Sequence, residues 1–241
     1  MSLSLEIQKL KRTGYFLTFL AGAALASAFP LVNMLVRPEN FVSLPGDPFA
    51  ILVDANWQMM AMLNILISIC GACMMYHTEY ADNGIQKMDV LPVRSSSLFF
   101  SKFAIASFVL AIMIAIETLV LTGCSVHWFP SYQFDFLPLA KSAGFQWVVT
   151  LPTVMLMLIL SSACKNMWIS LGIGVILVFT LSILPQDNLI LSLFPFSSPY
   201  QTFLTAMENG RVLLFLGVCI GETIGLGLIG VIYQSIRRCY Q

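Results

Sequence analysis

The chain has 241 residues, 58% hydrophobic and 10% charged, with a mean hydropathy of +0.86 and no formal net charge. A water-soluble domain carries about a quarter charged residues and still exposes much of its area, so this composition excludes a soluble fold and makes lipid the implied solvent. Neutral charge and a pI near 6.7 give no electrostatic case for a nucleic-acid partner. The six cysteines lie mostly inside apolar runs, which is not a secreted disulfide framework, and Cys70-x-x-Cys73 reads as a pair of small buried hydrophobes.

Taken in chain order, residues 1–13 come first. Leu3, Ile7 and Leu10 share one helical face, with Ser4, Gln8 and Lys11 opposite. That pattern predicts a short amphipathic helix lying in the membrane interface. A spanning helix needs about 20 mostly apolar residues. Six stretches meet or approach that length: 14–36, 57–76, 98–123, 143–164, 167–184 and 212–233. Pro30 and Asn33 predict a kink or early end in the first. Lys9 to Arg12, an apolar run and Ala26-Ser27-Ala28 have the order of a signal peptide, but apolar character continues to Val36, so the segment is read as a span.

The basic residues set the orientation, because Lys and Arg are enriched on the cytoplasmic side. With the N-terminus inside, Lys9, Lys11, Arg12, Lys87, Arg94, Lys102, Lys165, Arg237 and Arg238 face the cytoplasm, and only Arg37, Lys141 and Arg211 face out. The expected fold is all-α: one polytopic membrane domain over 1–241, six transmembrane helices, and both termini cytoplasmic. The outer segments carry Glu39, Asp47, Asp54, Asp135, Asp187 and Glu208, a mild acidity that on charge alone reads as ordinary solvated loops, with a weak attraction for cationic peptides as the sharper alternative. Residues 185–210 hold Pro185, Pro195 and Pro199 among Leu189, Ile190, Leu191, Leu193, Phe194 and Phe196. This is too apolar for a free loop and predicts a re-entrant or capping piece on the outer side, buried in protein.

Nothing in the chain reads as an enzyme. His77 and His127 fall at opposite ends of their spans and cannot share a metal, so no metal site is expected. The motifs His-Glu-x-x-His, Gly-x-Ser-x-Gly and the phosphate-binding Gly-x-x-x-x-Gly-Lys-Ser/Thr are absent from the sequence. A motor, if there is one, must be another polypeptide. Two acids lie within spans, Glu117 and Glu222. A carboxyl in lipid is costly, about 2.5 kcal/mol or more for Asp on insertion scales, so both are candidate substrate-path or proton-relay residues, or else packing hydrogen bonds with Asn64 and Gln146 as the partners on offer. Gly217, Gly221 and Gly225 recur every four residues and predict a close helix-packing face.

The long inner loop, 77–97, puts Tyr80, Ile85 and Met88 as apolar anchors on a short helix from Glu79 to Met88, ended by Pro92. Such a helix suits docking into a groove on a soluble partner. Glu79, Gly84, Lys87 and Leu91-Pro92, followed by Phe100-Ser101-Lys102, resemble the pattern after the second span of ABC-2 type permeases, and the layout is similar to the lantibiotic immunity and resistance branch. The resemblance implies that Glu79, Tyr80, Gly84, Ile85, Lys87 and Met88 form a coupling helix on a cytoplasmic ABC ATPase dimer. It further implies a second permease, identical or related, no cofactor on this chain, and ATP with Mg on the ATPase. The implied activity is expulsion of cationic antimicrobial peptides across or from a bacterial plasma membrane. Two other readings stay open on the residues alone: an ion-coupled carrier or channel, motivated by Glu117 and Glu222, and a non-transporting sensor or scaffold subunit.

Overall fold

The computed structural model describes residues 2–80, 95–130, 132–183 and 188–239. Among these residues the α-helices are α1 (Ser2–Lys11), α2 (Tyr15–Val36), α3 (Glu39–Val42), α4 (Pro48–Tyr80), α5 (Ser95–Trp128), α6 (Phe136–Ala163), α7 (Met167–Ile183), α8 (Leu189–Ser192), α9 (Phe203–Glu208) and α10 (Val212–Cys239). A 3₁₀ turn covers Ser198–Tyr200, and no strand occurs among the described residues. Among the described residues five helices (α2, α4, α5, α6 and α10) are long and apolar enough to cross a membrane; α7, at 17 residues, is shorter. The protein is therefore a multi-pass membrane protein built on at least these five helices.

Two spans begin well before the sequence predicts. Residues 38–56 read as an outer connection, yet α4 begins at Pro48. The local chemistry explains it: the Ala50 amide donates to Asp47 Oδ2 at 3.1 Å, so an aspartate caps the end and proline takes the first turn, where its missing N–H costs nothing. Phe49, Leu52 and Val53 are buried by the extension. The Asp135 carboxylate likewise accepts from the Leu137 amide at 3.0 Å and starts α6 seven residues before the predicted span. Pro30 neither ends nor breaks α2, which continues to Val36. Gly14, with φ of 75°, makes the turn from α1 into α2, a left-handed conformation natural only to glycine.

α4 is the axial helix, packing against α2, α5, α6 and α7. The main core joins Phe19, Ile65, Ile69, Met113, Ile114, Val154, Leu158 and Phe196. A second core towards the far ends of α2, α4 and α5 holds Met34, Leu52, Trp57, Met60, Leu121 and Cys124. Around them runs an exposed apolar belt that includes Leu17, Leu25, Leu35, Phe108, Leu119, Trp168, Ile176, Leu213 and Ile224, the surface that lipid would cover.

The glycines that bring helices together within this chain include Gly71, Gly174 and Gly230. A Cβ at Gly71 would lie 2.6 Å from the Phe19 ring, at Gly174 2.7 Å from Ile69, and at Gly230 2.6 Å from the Phe99 ring. A Cβ at Gly217, Gly221 or Gly225 would meet nothing within 4 Å. That row lies on the open face of α10 and meets no other helix among the described residues. Period-four spacing identifies a small-residue stripe but not which way the helix is turned.

Candidate functional site

α4 ends at Tyr80 and α5 begins at Ser95, and the charges near these two ends are drawn inward beside α1. Lys102 lies in the second turn of α5 and is 1% exposed. Its Nζ reaches Glu79 Oε1 at 2.6 Å and Glu6 Oε2 at 2.7 Å. Lys9 closes the group, 2.9 Å from Glu6 Oε1 and 3.6 Å from Glu79 Oε1. Two cations and two carboxylates thus form an electroneutral cluster between α1, the last turn of α4 and the start of α5. The Tyr76 ring sits 5.6 Å from the Lys102 ammonium and adds a cation–π contact. Burial raises the Glu6 carboxyl, but Lys102 and then Lys9 outweigh it and hold Glu6 below its ordinary value.

This geometry explains why α1 packs as it does. Its inward residues are Glu6 and Leu10, while Leu3 is 46% and Leu5 42% exposed. The seating of α1 is therefore ionic at its centre rather than purely apolar. Of the six predicted coupling residues, Glu79 and Tyr80 continue α4, and both are committed to the bundle: Glu79 to Lys102, and the Tyr80 hydroxyl as donor to the Ser162 carbonyl near the end of α6. Gly84, Ile85, Lys87 and Met88 lie outside the described residues. Sequence reasoning counts Lys102 only among the basic residues and the motif, and gives Glu6 no role. The available signal was a lysine several residues inside an apolar run, where an unpaired ammonium is too costly to keep.

The opposite end is filled by residues 188–211. The Trp57 indole donates to the Pro199 carbonyl at 3.0 Å, Gln146 Nε2 to the Gln201 carbonyl at 2.9 Å, and the Ser198 hydroxyl to the Val149 carbonyl at 2.8 Å. The Thr153 hydroxyl donates to the Pro195 carbonyl, and Phe196 is fully buried in the main core. Thr153 lies 17 residues into a 28-residue helix; at 1.5 Å per residue that is about 26 Å from the start of α6. The segment enters the bundle to more than half the length of α6. Asn188 caps α8 and Thr202 caps α9, so short helices and side-chain donors satisfy its backbone.

Glu117 is 1% exposed, and Oε2 accepts from Asn64 Nδ2 at 2.8 Å. Glu222 is half-buried on α10, with Oε2 sequestered and unpartnered. The two acids differ: one is sealed between α4 and α5, and the other sits on the helix that presents its side to the surroundings. No group of three or more metal-ligating side chains occurs among the described residues.

A family model described as ABC-2 family transporter protein matches residues 2–181, from α1 through most of α7. No curated protein and no solved structure matches the chain. The family match spans well over half of the sequence, and the chain belongs to the ABC-2 transporter family.

Proposed function

We propose that this ABC-2 family member is the permease subunit of an exporter driven by an ATPase on a separate chain, and that its cargo is an amphipathic cationic antimicrobial peptide of the lantibiotic type. The observation that carries the reading is the ion cluster. The two helices that flank residues 81–94, α4 and α5, are tied to each other and to α1 by Lys102, Glu79 and Glu6. A push delivered to that loop is passed at once to three helices, because any one of them moving alone would strand a buried charge.

In this reading the coupling helix runs from Glu79 to Met88, with Gly84, Ile85, Lys87 and Met88 meeting the ATPase, where ATP and Mg reside. A second permease, identical or related, completes the path. The subunit sits in a bacterial plasma membrane with both termini and the ion cluster inside and residues 188–211 re-entering from the outside. The mild acidity of the outer segments supports a cationic cargo, and the similarity of layout to lantibiotic resistance permeases supports a peptide.

The test is peptide tolerance in a sensitive bacterial strain. Co-expression of the chain with its ABC ATPase should raise tolerance to a lantibiotic, and either subunit alone should not. Unchanged tolerance, with the complex assembled and hydrolysing ATP, would remove the peptide and leave the permease.

A further inference from the structure

The Asn64–Glu117 pair carries an inference that does not depend on the transport reading. Both side chains are almost wholly buried, at 3% and 1% exposure. One hydrogen bond joins them, from Asn64 Nδ2 to Glu117 Oε2. The remaining oxygen on each, Asn64 Oδ1 and Glu117 Oε1, is buried with no hydrogen-bond partner. The ion pairs among the described residues are confined to Glu6, Lys9, Glu79 and Lys102, so none of the described cations reaches Glu117.

Read as a carboxylate, this arrangement has two faults. A full negative charge lies uncompensated in apolar packing, and two acceptors on the same pair of side chains are orphaned. One proton removes both faults. Placed on Glu117 Oε1, it neutralises the acid and turns one orphan acceptor into a donor for the other. The amide and the acid then carry matching donors and acceptors for a ring of two hydrogen bonds, the observed one from Asn64 Nδ2–H to Glu117 Oε2 and a second from Glu117 Oε1–H to Asn64 Oδ1. A bound hard metal cation is a poorer solution, since it would ask for about six oxygens and the pair offers two. The backbone oxygen of Asn64 is already engaged by the Ser68 hydroxyl at 2.8 Å.

The location gives the pair a purpose. Among the fully buried residues of α4 the second core ends at Ala61 and the main core begins at Ile65; among those of α5 the main core ends at Ile114 and the second begins at Leu121. Asn64 and Glu117 occupy the seam between the two cores on both helices. We propose that Glu117 is a permanent intramembrane proton-binding site, its carboxylic acid cyclically paired with Asn64 to latch α4 to α5 where the two cores meet.

The test is infrared difference spectroscopy of the purified protein in lipid nanodiscs at neutral pH, wild type minus Glu117→Gln. A protonated-acid carbonyl stretch should be present in wild type and absent from the variant. Asn64→Val should shift that stretch, because the carbonyl loses its donor. Glu117→Gln keeps one donor and one acceptor, so its Tm should stay within about 2 °C of wild type, a fraction of a kcal/mol for a chain of this size. Glu117→Ala strands Asn64 and should fall several times further. Loss of a carboxylate stretch in place of the acid stretch would overturn the proposal. So would a wild-type Tm that rises with sodium or potassium over choline at equal ionic strength, provided Glu117→Gln abolishes the rise.

Discussion

Replacing Lys102 with methionine tests the ion cluster directly, since methionine keeps most of the side-chain length and removes only the ammonium. In the native cluster that ammonium lies 2.6 Å and 2.7 Å from two carboxylates at almost no exposure. Removing one partner of a buried pair costs about 3–5 kcal/mol, chiefly from the charge left behind. Lys9 remains near both carboxylates and its side chain is 36% exposed, so it offsets part of the loss. The lower end, about 3 kcal/mol, is the expected value. At roughly 2–4 °C per kcal/mol for a chain of this size, Tm falls by about 6–12 °C. The assay is thermal unfolding of purified protein in mild detergent, with trypsin cleavage after Lys11 or Arg12 reporting release of α1. Lys102→Met combined with Glu79→Gln restores neutrality and should recover part of the loss. A single variant within about 2 °C of wild type, or a double no better than the single, would refute the reasoning.

The cluster also predicts a pH dependence. Glu6 is held below its ordinary value of 4.5 in the folded protein, so its contribution is complete above pH 4.5 and disappears as pH falls through the lower folded value. Thermal scans should show that acid limb in wild type, and Glu6→Gln should flatten it. Gly230→Ala drives a Cβ into the Phe99 ring at 2.6 Å and should cost about 1–3 kcal/mol, whereas Gly221→Ala meets nothing and should unfold within about 0.5 kcal/mol of wild type. If Gly221→Ala left the unfolding of the single chain unchanged but lowered the mass of the purified assembly, a partner helix on α10 would be located. Thr153→Val removes the donor to the Pro195 carbonyl and should cost about 1 kcal/mol, with faster proteolysis inside residues 188–211 as the readout.

How far the sequence carries depends on what kind of signal each feature leaves. Spans are legible because twenty apolar residues have few other uses in a chain this poor in charge. Their ends are less so: the Asp47-Pro48 cap and the Asp135 cap are local signals that extend α4 and α6 beyond the hydropathy window. The unusual apolar character of 185–210 marks a buried segment, but its anchors, Trp57, Gln146, Val149 and Thr153, are scattered over two helices and have no common spacing. The cluster at the loop root was hidden for the same reason. Glu6, Glu79 and Lys102 are 73 and 23 residues apart in sequence, and only the packing of α1 against α5 brings them together. Glu117 and Asn64 are a middle case. The cost of a carboxyl in lipid calls for a partner, and Asn64 is one of two candidates the sequence offers; the structure selects it. The glycine row on α10 is a clear pattern whose partner the spacing does not name, because the direction it faces depends on a helix rotation that spacing does not encode.

The central claim is that this chain is driven from its loop by a separate ATPase. The most direct measurement is affinity purification of the tagged chain from its own host in mild detergent, with mass spectrometry and ATP hydrolysis on the eluate. A parallel sample carries residues 81–88 replaced by a glycine–serine stretch of equal length, which leaves Glu79 and Lys102 intact. The account predicts an ABC ATPase with wild type, active in hydrolysis, and its loss from the replacement while the chain remains folded. A folded wild-type chain that brings down no ATPase, or an ATPase retained equally by the replacement, would contradict it.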